Sequence, residues 1–427
     1  MTHNFNEDKE QVLKALLQSA IDAAQPDKVI RNYLPSPPKG KTVVVGCGKA
    51  AASMALAFEK HWKYPVTGIV ITMYGHYVPT KFIEVVEANH PVPDSNGHNA
   101  TVRIMSLAKT LGSDDLLIFL VSGGGSALMP LPVDGISLSE KQLINGALLK
   151  SGADIFEMNA VRKHISAIKG GKLALAAYPA KVITLAISDI PGDDPTVIAS
   201  GPTLPDSSTL AEALAILKKY DIDTSRNILT HLKNSKSETP KPEDPKFRNN
   251  EVHIIATPQK SLEAAALMAK QFSLSTYILS DQICGESKDV AQVHGALAKQ
   301  IQKYNHPIKT PCIIFSGGET TVTVNGNGRG GRNVEFLLSL AIYLSGNNSI
   351  WAIAADTDGI DGTEKNAGAI INPTTLSRSR GQNMDAKLML QDNNAYDFFL
   401  QLKDIVITGP TLTNVNDFRA ILIEKAK

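Results

Sequence analysis

The sequence predicts an α/β protein of two domains, the N-terminal one built on a doubly wound parallel sheet. Short Val/Ile/Leu-rich runs alternate with helical patterns along the chain, the signature of βα units. Several of those runs are apolar throughout rather than at every second position, as in strands covered on both faces. At 427 residues the chain is also long enough for two or three domains. In order, residues 7–24 (EDKEQVLKALLQSAIDAA) place apolar side chains at helical spacing and predict an amphipathic first helix. A Pro/Gly loop over 34–40 precedes a β-branched strand over 41–45. Further strands are expected over 66–72, 116–122, 182–188, 252–257, 276–280, 312–316 and 350–355, with helices between most of them, such as 50–61 and 261–270. The stretch NSKSETPKPEDPKFRN at 234–249 is polar, carries three prolines and has no apolar period. It reads as a linker, which puts the domains at 1–240 and 251–427.

Charge and composition exclude several function classes. Lys+Arg 43 against Asp+Glu 42 leaves a formal charge of +1, without the basic excess of a nucleic-acid binder. Apolar runs such as 182–187 fall far short of the ~18 residues needed to cross a bilayer. The polar start, MTHNFNEDKE, has no signal-peptide or transit-peptide pattern, so a cytoplasmic protein is expected. Cys47, Cys284 and Cys312 are odd in number and far apart, which fits reduced thiols rather than disulfides or a zinc site. No GxSxG, HExxH or CxxC occurs, so serine hydrolase, zincin and thiol-redox readings lack support.

The chemistry concentrates in Gly-rich turns at predicted strand ends, where open parallel sheets bind ligands. Gly46-Cys47-Gly48-Lys49-Ala50-Ala51 matches GxGxxA, but the second strand ends Ile71-Thr72-Met73-Tyr74, without the carboxylate that would hold a dinucleotide ribose. Lys49 at a helix start suits a phosphate; the alternative is a solvated first-turn lysine. Ser122-Gly123-Gly124-Gly125-Ser126 is nearly bare backbone, either a polyphosphate nest or a flexible turn. In Ser188-Asp189-Ile190-Pro191-Gly192-Asp193-Asp194, carboxylates crowd a strand end. A divalent cation would relieve them, with Asp189 and Asp193 as its neighbourhood and Asp356 and Asp358 in reserve; exposed capping aspartates are the alternative. Ser316-Gly317-Gly318-Glu319-Thr320 leads to Gly326-Asn327-Gly328-Arg329-Gly330-Gly331-Arg332-Asn333-Val334-Glu335, whose arginines can present a fork to phosphate or form a hairpin tip. Asp356-Thr357-Asp358-Gly359-Ile360-Asp361-Gly362 lacks the twelfth-position Glu of a calcium loop. The basic cluster Arg162-Lys163-His164 to Lys169-Gly170-Gly171-Lys172 is equally an anion-facing edge or a solvated face, and His90 between prolines reads as structural. Ser-Gly-Gly and GPTL each occur once in both halves of the chain, which reads more as chance than as duplication.

On these residues the sequence resembles the type II D-glycerate 2-kinase family with its C-terminal MOFRL domain. The matching strings are VVGCGKAAASM (43–53), VSGGGSALMPLP (121–132), SGADIFEMNAVRKHISAIKGGKLA (151–174), SDIPGDDPTVIASGPTLPD (188–206), SGGETTVTVNGNGRGGRNVE (316–335), DTDGIDGTEKNAGAI (356–370) and TGPTLTNVNDF (408–418). The resemblance implies a Rossmann-like N-terminal domain, a smaller α/β C-terminal domain, and an active site in a cleft between them. It also implies ATP and Mg²⁺, with phosphorylation of D-glycerate at the 2-hydroxyl. Lys49 and Arg332 are the catalytic residues it carries over. Gly46, Gly48, Ser122, Gly123, Gly124, Gly125, Ser126, Gly317, Gly318, Glu319, Asn333 and Glu335 are expected to hold nucleotide or phosphate, and Asp189 and Asp193 the metal. Expected partners are therefore small molecules, not nucleic acid or membrane, with a homodimer possible. The rival functions are a hydroxypyruvate reductase using NAD(P)H and a non-catalytic nucleotide-binding sensor.

Overall fold

Fourteen strands can be followed in the computed structural model, which describes residues 8–426. Glu7, the first position of the expected helix, lies outside the described residues. In the N-terminal half the strands are β1 (Thr42–Cys47), β2 (Val66–Met73), β3 (Ile83–Ala88), β4 (Leu116–Val121), β5 (Lys181–Ile187) and β6 (Glu251–Ala256). They form one sheet in the order β3-β2-β1-β4-β5-β6, the strand order of a dinucleotide-type doubly wound fold. The pairs among β3, β2, β1, β4 and β5 are parallel. Every residue of β1 and β4 is buried, which is why their sequences read as unbroken apolar runs. Three helices that pack on one another in a separate core of this unit start cleanly: Ser137–Glu140, Asp154–Glu157 and Thr209–Glu212 each close a reciprocal capping box.

The C-terminal half holds β7 (Ser275–Ser280), β8 (Gly285–Glu286), β9 (Cys312–Ser316), β10 (Thr320–Thr321), β11 (Ile350–Asp356), β12 (Gly368–Ile371), β13 (Ile405–Val406) and β14 (Asp417–Ile423). Here the strands run mostly antiparallel. The six-stranded sheet runs β13-β12-β11-β14-β9-β7, and only β7–β9 is parallel among its pairs. Helices cover both faces, so antiparallel strands are buried as fully as parallel ones and burial alone does not reveal direction. Ile313, Phe315 and Ile353 join one core, whereas Ile314, Ala352 and Ala354 join the other. The two sheets thus differ in topology, and their shared Ser-Gly-Gly turns sit on different scaffolds.

By contacts the chain divides into a unit of Pro26–Ser188 and Asp193–Ile255 and a unit of residues 8–25, Asp189–Gly192 and 256–426. The division departs from the expected 1–240 and 251–427 in three places. Helix Lys9–Ala23 belongs to the second unit, because its stripe of Leu13, Leu16, Leu17 and Ala20 is buried with Leu262, Ala265 and Ala269 of helix Pro258–Gln271. Three buried leucines at about 1.5–3 kcal/mol each fix that choice. Residues Asp189–Gly192 also belong to the second unit. Finally, 234–249 is a packed strap of the first unit, not a linker. Glu238 accepts from His164 Nε2 at 2.8 Å, Thr239 Oγ1 donates to Asp206 at 3.0 Å, and the Pro240 carbonyl accepts from the Asp206 N–H at 2.8 Å. Polar side chains that pair internally look like linker composition. No described helix is long and apolar enough to cross a membrane.

Candidate functional site

In the first unit, β1 and β4 lie side by side where the strand order reverses, and their turns are laced together. The Lys49 N–H donates to the Gly123 carbonyl at 2.8 Å, and the Ser122 N–H to the Cys47 carbonyl at 3.1 Å. Buried Ser122 spends its hydroxyl on the Ala50 N–H at 2.9 Å, at the start of helix Ala51–His61. It shapes the turn rather than presenting an oxygen to a ligand. Gly48, at φ 134°, leaves no room for a side chain: a Cβ there would meet the Ser122 hydroxyl and carbonyl at 2.2 and 2.6 Å. A Cβ on Gly124 would come within 3.1 Å of the His90 ring and 3.5 Å of Lys49 Cγ. His90, read from sequence as structural, therefore shares this turn with half-buried Lys49. Gly125 packs beside Cys47 and Ala199, and Ser126 Oγ pairs with Ser200 Oγ at 2.9 Å. Backbone at a helix start with a lysine beside it can receive phosphate oxygens. The end of β2 itself carries no acidic residue: the strand ends at Met73 and runs into Tyr74 and Gly75, whose N–H donates to Glu87 of β3 at 2.7 Å.

The second unit treats its basic residue differently. Asp356 and Asp417 are direct cross-strand partners on β11 and β14, a like-charged pairing that is unfavourable by itself. Arg332 relieves it. Its Nη2 donates to Asp356 at 2.6 Å, its Nε to Asp417 at 2.7 Å and its Nη1 to Glu319 at 3.0 Å. Burial pulls the Arg332 pKa down, but Asp417, Asp356 and Glu319 outweigh it and hold the group well above the ordinary arginine range. Behind this collar, fully buried Arg419 donates to Asp417 and, at 3.0 Å, to Thr320. Asn333 is likewise buried and donates to Asp417 at 2.8 Å. Helix Arg332–Leu344 is capped by Asp361, which accepts from the Asn333 and Val334 N–H groups at 3.0 and 2.9 Å. Burial is the main reason the Asp361 pKa rises to about 6; the two N–H donors oppose it. A Cβ on Gly331 would lie 2.4 Å from the Asp361 carboxyl, so the turn requires glycine.

Several expected phosphate-binding residues thus serve the internal network. Glu335 is buried and holds Asn393 at 3.0 Å. The Gly317 N–H bonds to the Ser280 carbonyl, and the Gly318 carbonyl accepts from the Asp417 N–H. Asp356 and Asp358, the reserve metal candidates, are engaged with Arg332, the Asp358 N–H and the Ile360 N–H. Asp189 accepts from Asn414 at 3.1 Å, and Asp193 lies in the left-handed region at φ 55°. No group of three or more His, Cys, Asp or Glu side chains among the described residues forms a metal cage. A Mg²⁺ ion takes one or two carboxylates and completes its shell with water and phosphate, so it does not require such a cage. Sequence reasoning missed Asp417 and Arg419. Only their place opposite Asp356 and Ser316 on neighbouring strands brings them in.

Comparison with known proteins gives a consistent result. Residues 12–233 match a domain of unknown function, DUF4147, and residues 312–417 match the MOFRL family. A protein of Agrobacterium vitis provisionally named hydroxypyruvate reductase is 48% identical over 416 residues, covering 97% of this chain and 94% of its own. A D-glycerate 2-kinase of Thermotoga maritima is 40% identical over 404 residues, covering 94% and 95%. A crystal structure of glycerate kinase from Thermotoga maritima superposes with a TM-score of 0.89 at 39% identity, covering 97% of this chain and 99% of that one.

Proposed function

We infer that this chain, which belongs to the type II D-glycerate 2-kinase family, transfers the γ-phosphoryl group of ATP to the 2-hydroxyl of D-glycerate, releasing ADP and 2-phospho-D-glycerate. The observation that carries this reading is the pair of laced Gly-rich turns after β1 and β4, with Lys49 between them, at the reversal of strand order. Phosphoryl transfer asks the protein for position and compensating charge rather than covalent chemistry. Lys49 and the backbone of 46–48 and 122–126 are assigned to the phosphates. Arg332 spends three of its five N–H bonds on carboxylates, so two remain on a guanidinium already locked in place. A preorganised donor of this kind stabilises charge that grows in the transition state. Asp189 and Asp193 would hold Mg²⁺, which when bound neutralises polyphosphate charge.

The reductase name carried by the Agrobacterium relative finds no ribose-binding carboxylate at the end of β2. Coupled ADP release measured with D-glycerate, L-glycerate and hydroxypyruvate tests the proposal. ADP is expected with D-glycerate, and NADH absorbance should stay constant with hydroxypyruvate. Steady NADH oxidation, or ATP binding with no glycerate-dependent ADP release, overturns the kinase reading.

A further inference from the structure

The basic segment 162–172 is not a solvated face. Lys169 is 1% exposed, and Lys141, contributed by helix Leu138–Ser151, is also 1% exposed. Arg162 and Lys172 are partly covered. Within this group Lys141 Nζ, Arg162 Nε and the amide nitrogen of buried Asn159 have no hydrogen-bond partner among the described residues. Lys169 reaches only a carbonyl, that of Ala199 at 3.1 Å, and Lys172 the carbonyls of Lys163 and Ser166.

Carboxylates near the cluster are engaged elsewhere. Asp206 pairs with Lys163 at 3.2 Å, and Glu238 with His164 and Lys241. The charges that act on Lys141 are those of Lys169, Arg162 and Lys172, all positive; on Lys169 they are the Cys47 thiol and Arg162. Lys141 also lies near a helix N-terminus, the wrong end for a cation. A fold that buries several cations together without a counterion is destabilised unless an anion completes it.

We propose that Lys141, Arg162, Lys169 and Asn159 form an anion pocket that holds the carboxylate of the acceptor hydroxy acid and gains strength as that acid becomes a phosphate ester. This rests on the kinase reading and names the acceptor side of the same reaction. A carboxylate together with a phosphate near its second ionisation carries almost three negative charges, which matches Lys141, Arg162 and Lys169. The hydroxyl of Ser200, bonded to Asn159 Oδ1 at 2.8 Å and in a residue with φ 62°, places a polar group beside the amide. Burial depresses the pKa of Lys141, helped by Lys169, Arg162 and Lys172; burial likewise lowers Lys169 and Lys172 to about 8, opposed by the Cys47 thiol at Lys169 and by Asp206 and Glu238 at Lys172. An entering anion favours their charged forms, so binding at pH 8 takes up protons.

The test uses the full chain and two variants. Lys141→Met keeps the length of the side chain without its charge; Asn159→Asp installs an internal counterion. Each should raise KM for D-glycerate roughly 10–100-fold, the loss of a charge-assisted buried contact, while KM for ATP changes less than about threefold. Lys141→Met should also raise Tm, since a buried amine without a hydrogen-bond partner is gone. Calorimetry in two buffers should show proton uptake by the wild type with 2-phospho-D-glycerate, reduced in Lys141→Met. Unchanged KM for D-glycerate in both variants overturns the pocket. Weakened ATP binding with intact D-glycerate binding also overturns it, because it assigns the cations to nucleotide. If the wild type makes no ADP with D-glycerate yet binds inorganic phosphate, and both variants lose that binding, the kinase reading falls and the anion pocket stands.

Discussion

The two units use the same sequence device, a Gly-rich turn with a basic residue after a strand, and give it opposite electrostatics. In the unit with Lys49, the turns are backbone bonded to backbone, and the buried cations nearby, Lys141 and Lys169, have no carboxylate partner. In the unit with Arg332, the cation is ringed by Glu319, Asp356 and Asp417, and Arg419 pairs again with Asp417. A basic residue in a glycine turn therefore does not declare its job. Where carboxylates surround it, as at Arg332, it is first a part of the scaffold.

The largest effect expected from this contrast is on folding. Arg332→Ala leaves Asp356 facing Asp417 with no cation between them, and breaking a buried pair from one side costs about 3–5 kcal/mol. Lys49→Ala leaves no cross-strand pair of carboxylates behind, since Cys47 at the end of β1 faces Ile71 and Val121, so its Tm should fall less than that of Arg332→Ala. Yet both should lower kcat by roughly 10²–10³-fold, the loss of one preorganised cationic donor, with KM changed less. Thermal unfolding alongside steady-state kinetics checks both halves. Equal stability losses in the two variants would break the comparison, and wild-type kcat in both would remove their catalytic roles.

Next in size is acid sensitivity of the second unit. His294 Nδ1 donates to the Val290 carbonyl at 2.8 Å, which leaves Nε2 of the neutral ring to accept from Ser316 Oγ at 2.9 Å, and the ring meets Phe336 edge-on. Burial chiefly pushes its pKa down to about 4, helped by the charge of Arg419 and opposed by the Val290 carbonyl. A depressed histidine favours the neutral form in the fold. Its contribution is full above pH 6.5 and is lost as pH falls from 6.5 to about 4, amounting to about 3 kcal/mol. Asp361 runs the other way: its pKa is raised to about 6, so its share is present below about pH 4 and is lost as pH rises through 6. Comparing Tm against pH for wild type and His294→Asn cancels the Asp361 part. The variant should lose less stability between pH 6.5 and 4, and parallel curves would contradict the assignment.

The smallest effect sharpens the account of the strap. Thr239→Val removes the hydroxyl that donates to Asp206 at 3.0 Å, worth about 1 kcal/mol. Tm should fall by about 2–4 °C, whereas a solvated linker would show no change.

Local chemistry wrote much of this protein into its sequence. Apolar runs such as Leu116–Val121 and Cys312–Ser316 marked buried strands because every side chain there must leave water. Glycine at 46, 48, 124 and 331 marked the tight turns, because backbone or side-chain atoms occupy the space a Cβ would need. Lys49 and Arg332 stood out because a cation in such a turn is chemically pointed. Strand direction and partner choice were not legible, since they depend on residues distant in the chain. Ile83–Ala88 carries two glutamates and Asp417–Ile423 a fully buried arginine; Glu84 is paired by Arg103 from a helix, and Arg419 by Asp417 of its own strand and Thr320 of β10. Helix Lys9–Ala23 shows its apolar stripe in the sequence but not the helix that buries it. Charge is the sharpest case. Lys141, Lys169 and Arg332 are equally basic on paper, and tertiary structure alone decides which of them meets a carboxylate, because Coulomb energy depends on distance and desolvation, neither of which is a property of sequence.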